Sequence, residues 1–284
     1  VEVTDVVNKF KNAAGGIYQG ALDAVGGENN KYWAVPIAIN PWVIHARMDL
    51  LEKAKLDFPK TWDEFIATSK KLQGPPTLYG YGMALGRCGD TNYNFTNLLW
   101  CYGGKLQTKD SKPAYNSEAM LKTIQIVSDM FKVHKIIPPG AVTWDDSGNN
   151  KAYQSEQAVF AVNPTSLYSW LQKNKPELAA RTGLFKPPAG PAGTFGQVEI
   201  LSFAIFTQSK NQEAAKEALA YFIAPDAQEK MAEMGEHHWA PIYKDKVHTD
   251  YWTKDPTYRA YVEIVDHGFP PSYQGVPVPA FSEI

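Results

Sequence analysis

The stretch Lys31–Leu72, KYWAVPIAINPWVIHARMDLLEKAKLDFPKTWDEFIATSKKL, restricts what this chain can fold into more than any other. AVPIAI (Ala34–Ile39) is a short apolar run with no alternation, which predicts a strand covered on both faces. Asn40, Pro41 and Trp42 end it abruptly, and VIHAR resumes an extended apolar pattern. Phe58-Pro59-Lys60-Thr61-Trp62-Asp63-Glu64 then opens a helix. Thr61 is placed to accept from the amide three residues on while Glu64 reaches back, a reciprocal capping box. A doubly covered strand followed by a well-signalled helix belongs to the α/β class.

The rest of the chain keeps that alternation. Val1–Gly27 reads as a polar helical stretch punctuated by Gly15-Gly16 and Gly26-Gly27. Tyr79–Leu85 predicts a strand. Asn92–Tyr102 predicts a helix with Phe95, Leu98, Leu99 and Tyr102 on one face, ended by Gly103-Gly104. Asn116 or Ser117 caps the next helix, which Pro138-Pro139 stops. Trp144–Asn150, WDDSGNN, reads as a polar loop. Ala158–Val162 is a second buried strand, with Pro164 as first residue of the helix after it. Phe185–Phe195 is a proline- and glycine-rich loop. Glu199–Thr207 (EILSFAIFT) predicts a long apolar strand. Helices over Gln212–Ala224 and Ala227–Met234 follow, and Tyr251–Asp266 is helical in its second half. Phe269–Pro279 is proline-rich and irregular. No internal repeat is present.

Composition excludes several classes of function. The chain has 284 residues and a net charge of −2. With a sequence pI near 6.3 it offers no electrostatic case for nucleic acid or an anionic membrane surface. No segment is long and apolar enough to span a bilayer. There is no signal peptide and no initiator Met, so Val1 is read as the start of a processed or truncated chain. Cys88 and Cys101 either pair in an oxidising compartment or stay free. Two cysteines and scattered histidines make no metal framework. No nucleophile elbow, phosphate-cradling glycine loop or zinc motif is present, and no cofactor is expected.

Eight Trp and fifteen Tyr supply many flat amphipathic faces. Most serve packing, but a sugar site uses a few, because a pyranose C–H face packs on a ring while its hydroxyls need polar partners. Asn40 and Trp42 leave a buried strand directly, where ligands collect in open α/β sheets; the alternative is a turn with Trp42 as packing. Trp144-Asp145-Asp146 sets an aromatic beside two carboxylates. Adjacent carboxylates point apart, so the pair is poor evidence for glycoside hydrolysis, whereas Trp144 and Asp145 suit stacking and hydroxyl acceptance. A solvated loop is the simplest explanation of them. Asn163 and Ser166 stand at a strand end and in a first helical turn, as caps or as ligand donors. Glu199 borders EILSFAIF as a solvated start or a hydroxyl acceptor. Trp62 is a staple within its capping motif, and Trp170 and Trp252 are expected to pack.

The order of an AVP strand, Asn and aromatic, R-x-D-L-L and P-x-T-W-D-E-F resembles the extracellular sugar-binding proteins of ABC importers, the family that includes maltose-binding protein. Phe58–Phe65 is the most specific piece. Tyr102-Gly103-Gly104, the strand Ala158–Val162 with Asn163-Pro164 after it, and Ser209-Lys210-Asn211 before an Ala-rich helix agree in order and spacing. The resemblance covers nearly the whole chain but starts partway into the family pattern. It implies a two-lobed periplasmic-binding-protein-like fold of type II, α/β in class, lacking the opening units of the first lobe. That lobe would comprise residues 1–38 and 201–252. The second would comprise 39–200 and 253–284, with hinge crossings near 38–41, 199–202 and 250–256.

The same resemblance implies a sugar or oligosaccharide bound in an interlobe cleft, hinge closure, and delivery to a membrane permease. It implies no chemistry, a monomer, and a periplasmic or extracellular location, including a cell-surface lipoprotein. Asn40 matches a family position that gives a polar side chain to sugar. Tyr93, preceded by Asn92, matches one that stacks an aromatic. Trp239, after the helix ending at Gly235, matches a loop that carries an aromatic in many members. The competing expectations are a carbohydrate-active hydrolase using Asp145 and Glu199, or the same fold binding a polyol, a glycerol phosphate or another small solute. A phosphate would call for Lys or Arg, which these candidates do not include.

Overall fold

A computed structural model of the chain describes residues 1–26, 28–108 and 112–267. The irregular stretch expected at Phe269–Pro279 lies outside the described residues. The elements run α1 (Thr4–Phe10), α2 (Gln19–Val25), β1 (Val35–Pro41), β2 (Val43–Arg47), α3 (Met48–Lys53), α4 (Trp62–Leu72), β3 (Tyr79–Gly82), α5 (Gly89–Cys101), α6 (Glu118–Ser128) and α7 (Gly148–Gln154). They continue with β4 (Ala158–Asn163), α8 (Ser166–Asn174), α9 (Pro176–Ala179), β5 (Thr182–Phe185), β6 (Val198–Phe203), α10 (Gln212–Ile223), α11 (Pro225–Met234), α12 (Lys244–Val247), α13 (Asp250–Thr253) and α14 (Arg259–His267). Two compact units result, one from residues 42–197 and one from 1–41 with 198 onward.

The unit of residues 42–197 is built on a four-stranded sheet in the order β3-β4-β2-β5. β3 and β4 are parallel, while β2 runs antiparallel to both β4 and β5. Every residue of β2 and β4 is buried, because helices cover both faces, as the unbroken apolar runs require. α4 starts with the expected box: Thr61 Oγ1 accepts from Glu64 N–H at 3.2 Å and Glu64 Oε2 accepts from Thr61 N–H at 3.3 Å. Its Phe65 then packs edge-on to Tyr81 and against Phe160 of β4. Phe58 stacks on Phe185 with ring centroids 3.9 Å apart, which ties the entry of α4 to β5. Each such ring contributes about 1.5–3 kcal/mol by burial.

The two ends of β2 differ in character. At its C-terminal end Arg47 is buried and bonds Asp49 through Nε and Nη2 at 2.9 and 2.7 Å, with Glu156 at 3.1 Å from Nη1. Arg181 reaches the same two carboxylates at 3.1 and 3.4 Å. Two guanidiniums and two carboxylates satisfy one another there, so this end is locked. The N-terminal end carries Trp42 and faces the C-terminal end of β4, with Val43 opposite Asn163.

The other unit holds a two-stranded antiparallel sheet of β1 and β6, in which Asn40 pairs with Glu199. β1 is buried along its whole length, as expected. β6 is not the long buried strand that EILSFAIFT suggests: it ends at Phe203, and Ser202 and Phe203 are exposed. With β1 as its one strand neighbour among the described residues, β6 buries Val198 but its other apolar residues only in part or not at all. Residues 253–267, expected with the second lobe, group instead with this unit, because α14 packs on β1 and Tyr18 donates to Asp266 at 2.7 Å. The crossing expected near 250–256 is therefore absent among the described residues.

Smaller expectations are also corrected. WDDSGNN is only half a loop, since Gly148, Asn149 and Asn150 begin α7. Pro164 stands two residues before α8 rather than inside it. α6 runs into a π turn over Asp129–Val133 and ends before Pro138. Trp170 is 39% exposed, whereas Trp62 and Trp252 are buried. Cys88 and Cys101 are free. Cys88 is the N-cap of the 13-residue α5 and Cys101 its last residue, so about 20 Å of helix separates them, far beyond disulfide reach.

Candidate functional site

The C-terminal ends of β3 and β4 and the N-terminal end of β2 meet at one edge of the four-stranded sheet. There lie the start of α5, the Trp144 loop, the start of α7, Asn163 and Trp42. Trp42 is only 3% exposed, with Nε1 sealed from solvent and unpartnered. Tyr93 of α5 covers it, ring centroids 4.7 Å apart and planes tilted by 57°. Tyr93 is half-buried and Asn92 exposed, so the aromatic surface offered at this edge is that of Tyr93, with Trp42 as its backing. The Trp42 backbone N–H donates to Gln197 O at 2.8 Å, and Thr96 Oγ1 of α5 sits 3.5 Å from Gln197 Oε1.

A polar network underlies that ring. Asn149 Nδ2 donates to Asp90 Oδ2 at 2.7 Å and to Val162 O at 3.0 Å, joining the starts of α5 and α7 to the end of β4. Asn94 Nδ2 donates back to Asp90 O at 2.7 Å, and its Oδ1 takes the Tyr81 hydroxyl at 2.8 Å. Asn163 bonds Asn150, and Ser166 Oγ lies 3.4 Å from Asn163 Oδ1. Asn163 is buried and Ser166 half-buried.

The Trp144 loop is clamped onto the start of α5. Asp146 Oδ1 accepts from Asp90 N–H at 2.9 Å, occupying a free amide of the helix N-terminus. A side chain at Gly86 would sit 2.1 Å from Trp144 O, and one at Gly148 2.4 Å from Trp144 Cβ, so both positions need glycine for close approach. Trp144 is half-buried in this clamp. Asp145 is exposed, and its Oδ1 accepts from Ser147 N–H at 2.9 Å and Ser147 Oγ at 2.6 Å. The Ser147 hydroxyl and amide hold its carboxyl below the usual aspartate range. A general acid of a hydrolase needs the opposite displacement.

In the unit of β1 and β6, Asn40 Nδ2 donates to Glu199 Oε2 at 3.1 Å, and Asn40 Oδ1 is buried without a partner. Trp239 is half-buried beside Ile37, Ala38 and Met231, around a cavity of about 10 Å³. Among the described residues no group of three His, Cys, Asp or Glu side chains could hold a metal, and no helix is long and apolar enough to cross a membrane. Sequence reasoning missed Asp90, Asn94, Asn149 and Asn150. The signal available was Ser147-Gly148-Asn149 as a helix start, obscured by the glycine.

Comparison with known proteins places this architecture. The family model described as bacterial extracellular solute-binding protein matches residues 2–229. A probable amino-acid ABC transporter periplasmic-binding protein of Sinorhizobium fredii is 25% identical over 224 residues, 76% of this chain and 49% of its own length. A probable ABC transporter-binding protein of Deinococcus radiodurans is 26% identical over 242 residues, 79% of this chain and 54% of its own. The chain thus spans about half the length of the curated relatives it matches. Among solved structures, maltose-bound MalE3 of T. maritima superposes on all of this chain with a TM-score of 0.82 at 22% identity, over 71% of that chain. A solute-binding protein of Agrobacterium radiobacter in complex with ribitol gives 0.83 at 20% identity, with the same coverage.

Proposed function

Because this chain belongs to the bacterial extracellular solute-binding proteins, we propose that it binds a sugar or polyol reversibly and presents it to the permease of an ABC importer. The observation that carries the ligand class is Tyr93, set over the buried Trp42 at a sheet edge lined with amide, hydroxyl and carboxylate groups. A ring face beside many uncharged hydrogen-bonding groups suits a polyhydroxylated solute. The proposed contacts are Asn92, Tyr93, Trp144, Asp145, Asn163 and Ser166 in the larger unit, with Asn40, Glu199 and Trp239 in the other; Trp42 acts as support. The protein works as a monomer, without nucleic acid, in the periplasm or at the cell surface.

A second reading is an amino acid, as the name of the Sinorhizobium relative suggests for that protein. An α-carboxylate asks for a cationic partner, and none of the proposed contacts supplies one. A hydrolase is disfavoured by Asp145, whose carboxyl is committed to Ser147 and lowered rather than raised.

Titration of intrinsic tryptophan fluorescence with maltose, ribitol, tagatose and a panel of amino acids tests the proposal. A saturable change with a sugar or polyol recovered intact is expected. Saturation by an amino acid alone, or turnover of the sugar, would overturn it.

A further inference from the structure

We infer that His237 is a positioning residue, a ring clasped between two tyrosines that fixes the loop carrying Trp239. The inference rests on the reading of Trp239 as a ligand contact. The loop leaves α11 through Glu236 and His237, both in the left-handed region at φ 49° and 63°. Two successive non-glycine residues there are strained and persist only where the surroundings hold them.

His237 supplies that hold. Its imidazole lies parallel to Tyr251 on one face and to Tyr258 on the other, each with centroids 4.0 Å apart and planes within 3° and 12°. Trp252 meets its edge at 4.9 Å and 88°. His237 Nε2 is 2.7 Å from Tyr251 O, and the His237 N–H donates to the Tyr251 hydroxyl at 3.2 Å. That hydroxyl donates in turn to Ala232 O at 3.1 Å, which returns the contact to α11.

On the far side of Trp239 the loop is held again. Ala240 exchanges backbone hydrogen bonds with Ile39 of β1 at 2.8 and 2.9 Å, one residue before Asn40. Between His237 and Trp239 there is a longer contact, His238 O accepting from the Tyr261 hydroxyl at 3.4 Å. Trp239 therefore sits on a three-residue span, His237–Trp239, between two fixed points, and the His238 ring contacts it at 4.6 Å. Removing the His237 stack frees one end of that span while leaving the other.

The test separates ring from backbone. His237→Asn tolerates the left-handed conformation but removes the ring; His237→Phe keeps a flat ring for both tyrosines. The Trp239 emission is isolated as the difference between each protein and its Trp239→Phe partner. His237→Asn is expected to shift that emission to the red and raise its acrylamide quenching, and His237→Phe to preserve both. Should His237→Asn not fold, Tyr258→Leu removes one face of the clasp and is expected to give the same shift. An unchanged Trp239 signal in the ring-less variants, or the same shift in His237→Phe, would overturn the inference. With maltose, ribitol or tagatose, whichever the wild type binds, His237→Asn is expected to bind about tenfold more weakly, the scale of one supporting interaction. If the wild type binds none of them, the ligand reading fails and the emission alone judges the clasp.

Discussion

His45 is fully buried, and neither of its ring nitrogens makes a hydrogen bond of ordinary geometry with the described residues. It sits in β2, with its ring 6.0 Å from that of Tyr153. Burial pushes it down to about 3, against a smaller opposing pull from the backbone of Val43 and Ala161. The unfolded chain protonates this ring near 6.5 and the folded chain only near 3, so between those values unfolding takes up a proton. The stability tied to His45 is complete above pH 6.5 and declines toward pH 3, at about 1.4 kcal/mol per pH unit. Urea unfolding of wild type and His45→Met at pH 7, 6 and 5 should show the wild type losing stability faster. Parallel losses would mean that His45 does not titrate between the two states.

Trp42 and Tyr93 touch but are expected to answer mutation differently. Trp42 is sealed, so Trp42→Ala should cost about 3–5 kcal/mol in denaturant unfolding. Tyr93 is half-buried, and Tyr93→Ala should weaken solute binding while leaving the melting midpoint nearly in place. The reverse pattern would return Trp42 to the role of ligand platform. Both residues were singled out before the structure, Trp42 from its place after a buried strand and Tyr93 from the family resemblance. Which one shows its face depends on how far α5 leans over the end of β2, and no local pattern encodes that.

At the scale of elements, α4 was legible to the residue. Thr61, Glu64 and Phe65 act within one helical turn, so their pattern needs nothing from the rest of the chain. α7 was not legible, because Gly148 suits a loop locally and is tolerated in a helix only for the sake of Trp144 packed against it. Gly148→Ala tests that account. Its Cβ would meet the Cβ and Cγ of Trp144 at 2.4 Å, so the Trp144 loop must move. Destabilisation of about 1–3 kcal/mol is expected, with an altered near-UV signal. A neutral Gly148→Ala would show that the loop yields freely. β6 failed in the opposite direction: its apolar residues predicted burial, but burial needs a second neighbour that β1 alone does not provide.

For the molecule as a whole, that partly open sheet has a consequence. Phe203 is exposed on β6, and Phe206 and Tyr221 lie exposed nearby in sequence or on α10, Phe206 at 79%. Exposed apolar groups next to a strand edge favour self-association. Phe206→Lys is expected to reduce concentration-dependent scattering at 37 °C without moving the melting midpoint. A lower midpoint would show that Phe206 packs in solution.

By itself the sequence determined the class, the strands β1, β2 and β4 and the capped start of α4, because apolar runs and caps are written within a few residues. The family came from the resemblance carried by Phe58–Phe65 and the motifs in order around it. Only the tertiary structure decided the rest. It set Tyr93 over Trp42, bridged Asp90 to Val162 through Asn149 and bonded the exposed Asp145 carboxylate to Ser147. It also brought residues 253–267 onto β1 and kept Cys88 from Cys101 by the length of α5. Each of these depends on distances between residues far apart in the chain or on the rigidity of a helix. Those quantities exist only once the sheet has chosen its strand order and the helices have settled against it.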